Sequence, residues 1–144
     1  MRRLFVLALG AALAATCAAN DLEKYAVWVT GDVINDPKEG LMFRADKPVK
    51  SNTTGNLVYL AVTEDTAKVL APMYYRAAEK HMKVRLYGAF LPSSRPKDPK
   101  HPSINFLTWK VHLPSDPDDL PDSQKIIIGP DQAVPGYTII PRKP

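Results

Sequence analysis

Three histidines, one cysteine and a run of aspartates are the residues of this 144-residue chain best suited to metal or acid–base chemistry. Their spacing argues against both. His81, His101 and His112 form no short ligand spacing of the kind a zinc site needs. His81 reads as a cation ending a helix, and His112 as an outward strand residue. Asp116, Asp118, Asp119 and Asp122 imitate part of a calcium loop, but prolines interrupt them and the glycine and glutamate of the EF-hand order are missing. A solvated acidic linker fits them better. Ser93 and Ser94 sit in no G-x-S-x-G turn and read as loop residues. The seven glycines are scattered singly, so no Gly-rich phosphate loop is present. The expectation is therefore a chain that is not an enzyme and takes no cofactor or metal.

Charge is more informative than any motif. Between Lys83 and His112 the local balance is +5, with Asp98 the single acid. From Pro114 to Asp131 it is −4. The whole chain carries +4, but Arg2 and Arg3 supply two of those charges, and they precede an apolar run, Leu4 to about Ala15, closed by Thr16, Cys17, Ala18 and Ala19. That arrangement predicts a secretory signal peptide over 1–19, cleaved after Ala18 or Ala19, because the run is shorter than the roughly 20 residues needed to span a bilayer. Lipidation of Cys17 ranks second, since Thr16 suits it poorly and Ala14 stands where leucine is usual. After ordinary cleavage the net charge is +2 and no cysteine remains. A general polyanion-binding role then gains little from charge alone.

Alternating patterns supply the elements that would position a site. A first strand is predicted at Tyr25–Ile34, a turn at Asn35–Gly40, and a second strand at Leu41–Asp46 with Leu41, Phe43 and Ala45 inward and Met42, Arg44 and Asp46 outward. Leu57–Val62 is apolar on both faces and reads as a covered central strand. Val69, Leu70, Met73, Ala77 and Met82 would form one apolar helix face, with Pro72 implying a short turn at Thr66–Leu70 before the main helix, or one kinked helix. Lys83–Phe90 alternates, with Val84, Leu86, Gly88 and Phe90 inward. Leu91–Ser103 contains four prolines and should be a long, stiff loop. Ile104–Leu113 is a fifth strand with Leu107, Trp109, Val111 and Leu113 on the core side. The domain then covers 20–113. Residues 114–144 form an acidic linker and an extended, Pro-rich arm that either lies back over the barrel or adds to a neighbour's sheet.

Five strands with one helix between the third and fourth is the element order of an OB-fold. The segments VWVTGDV, LMFRA, LVYLAV, TAKVLAPMYYRAAEKHMKVRLYGAF and FLTWKV resemble a secreted bacterial OB-fold domain, similar in plan to periplasmic OB-fold proteins and toxin B-subunit barrels. The resemblance implies a mainly β fold, a five-stranded OB-like barrel. It also implies a site on the face of strands two and three, framed by Asn35–Gly40 and Pro92–Pro102, with Met42, Arg44 and Tyr59 as its floor. With the basic run, the candidate ligand-binding residues are Arg44, Tyr59, Arg85, Arg95, Lys97 and Lys100. One exposed tyrosine and an arginine are thin for nucleic acid, so the expected partner is an anionic ligand or another protein. Two readings stay open. One is a secreted, periplasmic or extracellular binding module with no transmembrane segment; the other is an assembly subunit that oligomerises through its C-terminal arm. A third idea joins the charged segments, with Pro114–Asp122 folding across the basic loop.

Overall fold

A computed structural model describes residues 22–93, 95, 98–113, 129 and 136–142. It is mainly β, with strands β1 (Val27–Asp36), β2 (Gly40–Ala45), β3 (Leu57–Thr63), β4 (Lys83–Pro92), β5 (Ile104–His112) and β6 (Tyr137–Ile139). One helix, α1 (Glu64–Glu79), lies between β3 and β4. β1 pairs antiparallel with both β2 and β4, β2 with β3, and β4 with β5, while β3 and β5 run parallel. These five strands form a closed ring in the OB-like order β1-β2-β3-β5-β4. Strand directions cannot alternate all the way around an odd-membered ring, so one contact has to be parallel. The connection through α1 meets that need by carrying the chain from β3 across to β4. The expected signal peptide, the acidic linker and Lys97 lie outside the described residues.

Inward alternation builds the main core. Val27, Val29 and Val33 of β1, Leu41 and Phe43 of β2, Val58, Leu60 and Val62 of β3, Val84, Leu86 and Phe90 of β4, and Ile104 and Phe106 of β5 are all buried in one cluster. Phe90 stacks on Phe106 with ring centroids 4.3 Å apart. A second, smaller cluster on the opposite sheet face joins Leu22, Ala61, Ala89, Leu91 and Leu107, with Tyr25, Trp109 and Tyr137 packed against it. Burial of β3 on both faces follows from having a cluster on each side.

β5 departs from the expected facing, and the cause is local. Its residues 104, 106 and 108 point into the ring, while Leu107 and Trp109 join the outer cluster. Between Tyr87 and Gly88 the β4–β5 register shifts, from Tyr87 opposite Lys110 to Gly88 opposite Thr108. Trp109 is the extra residue of this bulge, and the inserted residue reverses the alternation. Val111 and Leu113 therefore pack on the main core as expected, but Leu107 and Trp109 do not. Gly88 is required beside the bulge, since a Cβ there would lie 2.1 Å from the Leu107 carbonyl oxygen. Gly88→Ala should cost about 1–3 kcal/mol of stability, measured by urea unfolding, because backbone rather than a mobile side chain must yield.

Of the two arrangements open to the sequence, α1 takes the single helix, running from Glu64 with Pro72 inside it, and it departs from the expected pattern in its buried face. Pro72 is exposed, so the carbonyl four residues earlier that loses its N–H partner can be met by water. The buried face is Leu70, Tyr74, Ala77 and Ala78, and Val69 is 66% exposed. Residues at i, i+4, i+7 and i+8 share a helix face, and this set includes Tyr74 in place of the aliphatic pattern that included Val69. The phenol of Tyr74 bonds to the Thr108 hydroxyl at 2.6 Å, and Thr108 donates onward to the Ala61 carbonyl. Burial pushes the Tyr74 phenol well above its usual pKa, with the Thr108 bond opposing.

The described part of the C-terminal segment packs on its own chain. β6 pairs with residues 61–63 of β3, beside the stretch where β2 pairs with residues 57–59. Ile140 is buried in the main core, its N–H donates to the Leu60 carbonyl, and its carbonyl accepts from the Leu41 N–H. Gly129 donates to the Phe90 carbonyl.

Candidate functional site

The turn between β1 and β2 is set by Asp36, whose Oδ1 accepts the N–H groups of Lys38 and Glu39, each at 2.8 Å. These two bonds hold the Asp36 carboxyl below its usual pKa. Short polar side chains favour such local backbone bonding at turns. Gly40 completes the turn at φ +91, where a Cβ would meet the Ile140 carbonyl. The turn leaves Glu39 facing β3.

The loop from β4 to β5 is anchored from two sides. Ser93 N–H donates to the Ser103 carbonyl, and Asp98 accepts the Lys100 N–H at Oδ1 and the His101 N–H at its carbonyl. From the β2–β3 loop, Asn52 Oδ1 accepts the Ser103 N–H, while its Nδ2 donates to the carbonyls of Gly55 and Leu57. The Thr53 hydroxyl donates to the His101 carbonyl. Asn52 heads a glycosylation sequon, yet its amide nitrogen is committed to these internal bonds.

Between the two loops lies a compact group of polar side chains. Tyr59 of β3 donates its hydroxyl to Glu39 Oε2 at 2.8 Å and accepts from Arg95 NH1 at 3.1 Å. The Arg95 guanidinium stands 5.0 Å from the Tyr59 ring centroid and 3.5 Å from Glu39 Oε2. On the other carboxylate oxygen, Glu39 Oε1 lies 2.9 Å from His101 Nδ1, close but out of line for an N–H···O bond. His101 Nε2 is 3.7 Å from Asp98 Oδ2. Burial, the bond to Glu39 and its charge push the Tyr59 phenol up, while Arg95 opposes.

No family model, curated protein or solved structure matches this chain.

Of the residues selected from sequence, Tyr59 and Arg95 come together at this loop pair, and Lys100 stands in the same β4–β5 loop with its N–H on Asp98. Tyr59 is fully buried rather than exposed, because Arg95 lies over its ring. Met42, the other expected floor residue, is also buried. Arg44 is exposed but lines a separate open groove of about 580 Å³ with Val33, Ile34, Asn35, Tyr75, Glu79 and His81. Arg85 stands on β4, 4.9 Å from the Trp28 ring centroid, in a strip where Lys110 lies over Tyr87. Lys83 is paired with Asp46 at 3.0 Å, which raises its pKa through their hydrogen bond. The basic run of the sequence is thus divided among separate surfaces. Glu39 and His101 escaped sequence reasoning. The one available hint was the Asp36–Gly40 turn, which could have placed Glu39 toward β3.

Among the described residues no group of three or more His, Cys, Asp or Glu is arranged to hold a metal, and no helix is long and apolar enough to cross a membrane.

Proposed function

We propose that this chain is a secreted, non-enzymatic binding module of the OB-fold class whose β1–β2 and β4–β5 loops hold an anionic ligand at Arg95. The observation that carries the reading is the posture of that arginine. Its planar cation is fixed against the Tyr59 ring and tied to the Tyr59 hydroxyl and Glu39, yet its side chain remains 54% exposed. Arginine recognises carboxylate, phosphate and sulfate groups through paired N–H donors, and little side-chain freedom is lost on binding when the fork is already held in place. Lys100, exposed in the same loop, adds a second positive charge, and Lys97 stands three positions earlier in the sequence. Glu39 plays the opposite part, holding Arg95 in position while partly offsetting its charge.

The strand ring and the position of the loop pair support placement in the OB-fold class, where ligands often lie between the corresponding loops. The apolar leader of the sequence supports secretion. The experiment is calorimetric titration with a sulfated oligosaccharide at low ionic strength, comparing the full chain with Arg95→Ala and Lys100→Ala. Arg95→Ala should weaken binding about tenfold, the loss of one charge-assisted contact, and Lys100→Ala by less. Equal affinities in the parent chain and Arg95→Ala, with both folded, would remove the basis for the reading.

A further inference from the structure

The geometry points to His101 as a proton-operated control on the proposed anion site, strengthening ligand binding as the pH falls. The inference rests on the reading of Arg95 as the anion-binding group. Glu39 connects the two residues, with Oε2 beside Arg95 and hydrogen-bonded to Tyr59, and Oε1 2.9 Å from His101 Nδ1.

With His101 neutral, Glu39 offsets the charge of Arg95, leaving a site close to balanced for an incoming anion. Protonation of the imidazole adds a positive charge beside that carboxylate. Glu39 is then held by a cation on each oxygen, and the Arg95 charge is less fully offset. Histidine is the side chain whose charge ordinarily changes between pH 5 and 8. The other groups around the imidazole are accounted for by element. Asp98, Lys100 and Arg95 come from its own loop, Glu39 from the β1–β2 turn, and Tyr59 from β3. The β2–β3 loop contributes Thr53, an uncharged group, at the His101 carbonyl. Asp98, with Oδ2 3.7 Å from Nε2, places a second carboxylate beside the imidazole, on the ring nitrogen opposite the one that faces Glu39. Its carboxylate already accepts the Lys100 N–H, which keeps it at that position.

A single charge added several ångströms from the ligand, in a partly exposed site, should change affinity by about three- to tenfold at low salt, and by less at physiological ionic strength. Inorganic sulfate is the appropriate probe because it remains a dianion throughout the range, whereas phosphate titrates within it. Sulfate binding to the full chain would be followed by amide shifts in NMR at pH 5.5 and pH 8.0, for the parent, His101→Gln and His112→Gln. The parent and His112→Gln should bind sulfate about three- to tenfold more tightly at pH 5.5. His101→Gln should bind equally at both, near the parent's affinity at pH 8.0. A parent affinity independent of pH overturns the control while leaving Arg95 as the anion site. A pH effect that survives in His101→Gln also overturns it, as does an equal loss at both pH values, which would make His101 only a support for the loop. No sulfate binding at Arg95 under either condition overturns both this inference and the reading beneath it.

Discussion

Ending the chain at Leu113 is expected to remove most of its stability, even though every strand of the closed ring lies before that point. Ile140 sits in the main core at 2% exposure. Its backbone satisfies the Leu60 carbonyl on β3 and the Leu41 N–H on β2, and the Pro141 carbonyl accepts the Tyr75 hydroxyl of α1. Loss of a buried isoleucine side chain alone costs about 2–5 kcal/mol. Each backbone group left buried without a partner adds about 1–3 kcal/mol. The total approaches the roughly 5–15 kcal/mol that a small domain possesses. Urea unfolding should show no cooperative transition, or one at a greatly reduced midpoint, for the chain ending at Leu113. Ile140→Ala in the full chain should fall between it and the parent. An unchanged midpoint after truncation would mean that Ile140 is not part of the core.

Tyr74→Ala should be the most damaging single substitution in α1. The ring is fully buried between the helix and the strands, and deleting a large aromatic from a core costs about 3–5 kcal/mol. Tyr74→Phe separates packing from polarity. It removes only the hydroxyl, and Thr108 keeps its bond to the Ala61 carbonyl, so the expected cost is about 0.5–1.5 kcal/mol. Equal losses for the two variants, measured by denaturant midpoints at constant m, would place the stabilisation in the hydroxyl pair instead of in the ring. Val69→Ala, on the exposed side of the same helix, should change stability by less than about 0.5 kcal/mol.

The ring was legible in the sequence because strand alternation is a local signal. Val84, Leu86 and Phe90 announce their facing within seven residues, and the prolines of 91–103 announce a break, although β4 runs on through Leu91 and Pro92, which pair with Asn105 and Ile104. Two local signals were overridden by packing. The bulge at Trp109 inverted the alternation of β5, which only the partner strand could reveal, since the extra residue has no meaning without β4 opposite it. In α1 the aliphatic pattern included Val69, while the gap left in the core accepted the larger Tyr74. The candidate site was only partly legible for a different reason. Glu39, Tyr59, Arg95 and His101 come from three separate stretches of sequence and meet only through strand closure and the Asn52 and Ser103 contacts between loops. Counting charge along the sequence also joined residues that the fold separates. Arg85 and Arg95 belong to one basic run, yet one lies against Trp28 and the other against Tyr59.

The central claim is that the paired loops, rather than another basic surface, receive the anion. The most direct measurement is a map of backbone amide shifts in the full chain as sulfate is added at low ionic strength and pH 5.5. The account predicts that saturable shifts concentrate at Glu39, Tyr59, Arg95 and 98–103. Shifts centred on Trp28, Arg85 and Lys110, or on Arg44 and His81, would contradict it and move the site to another face of the ring.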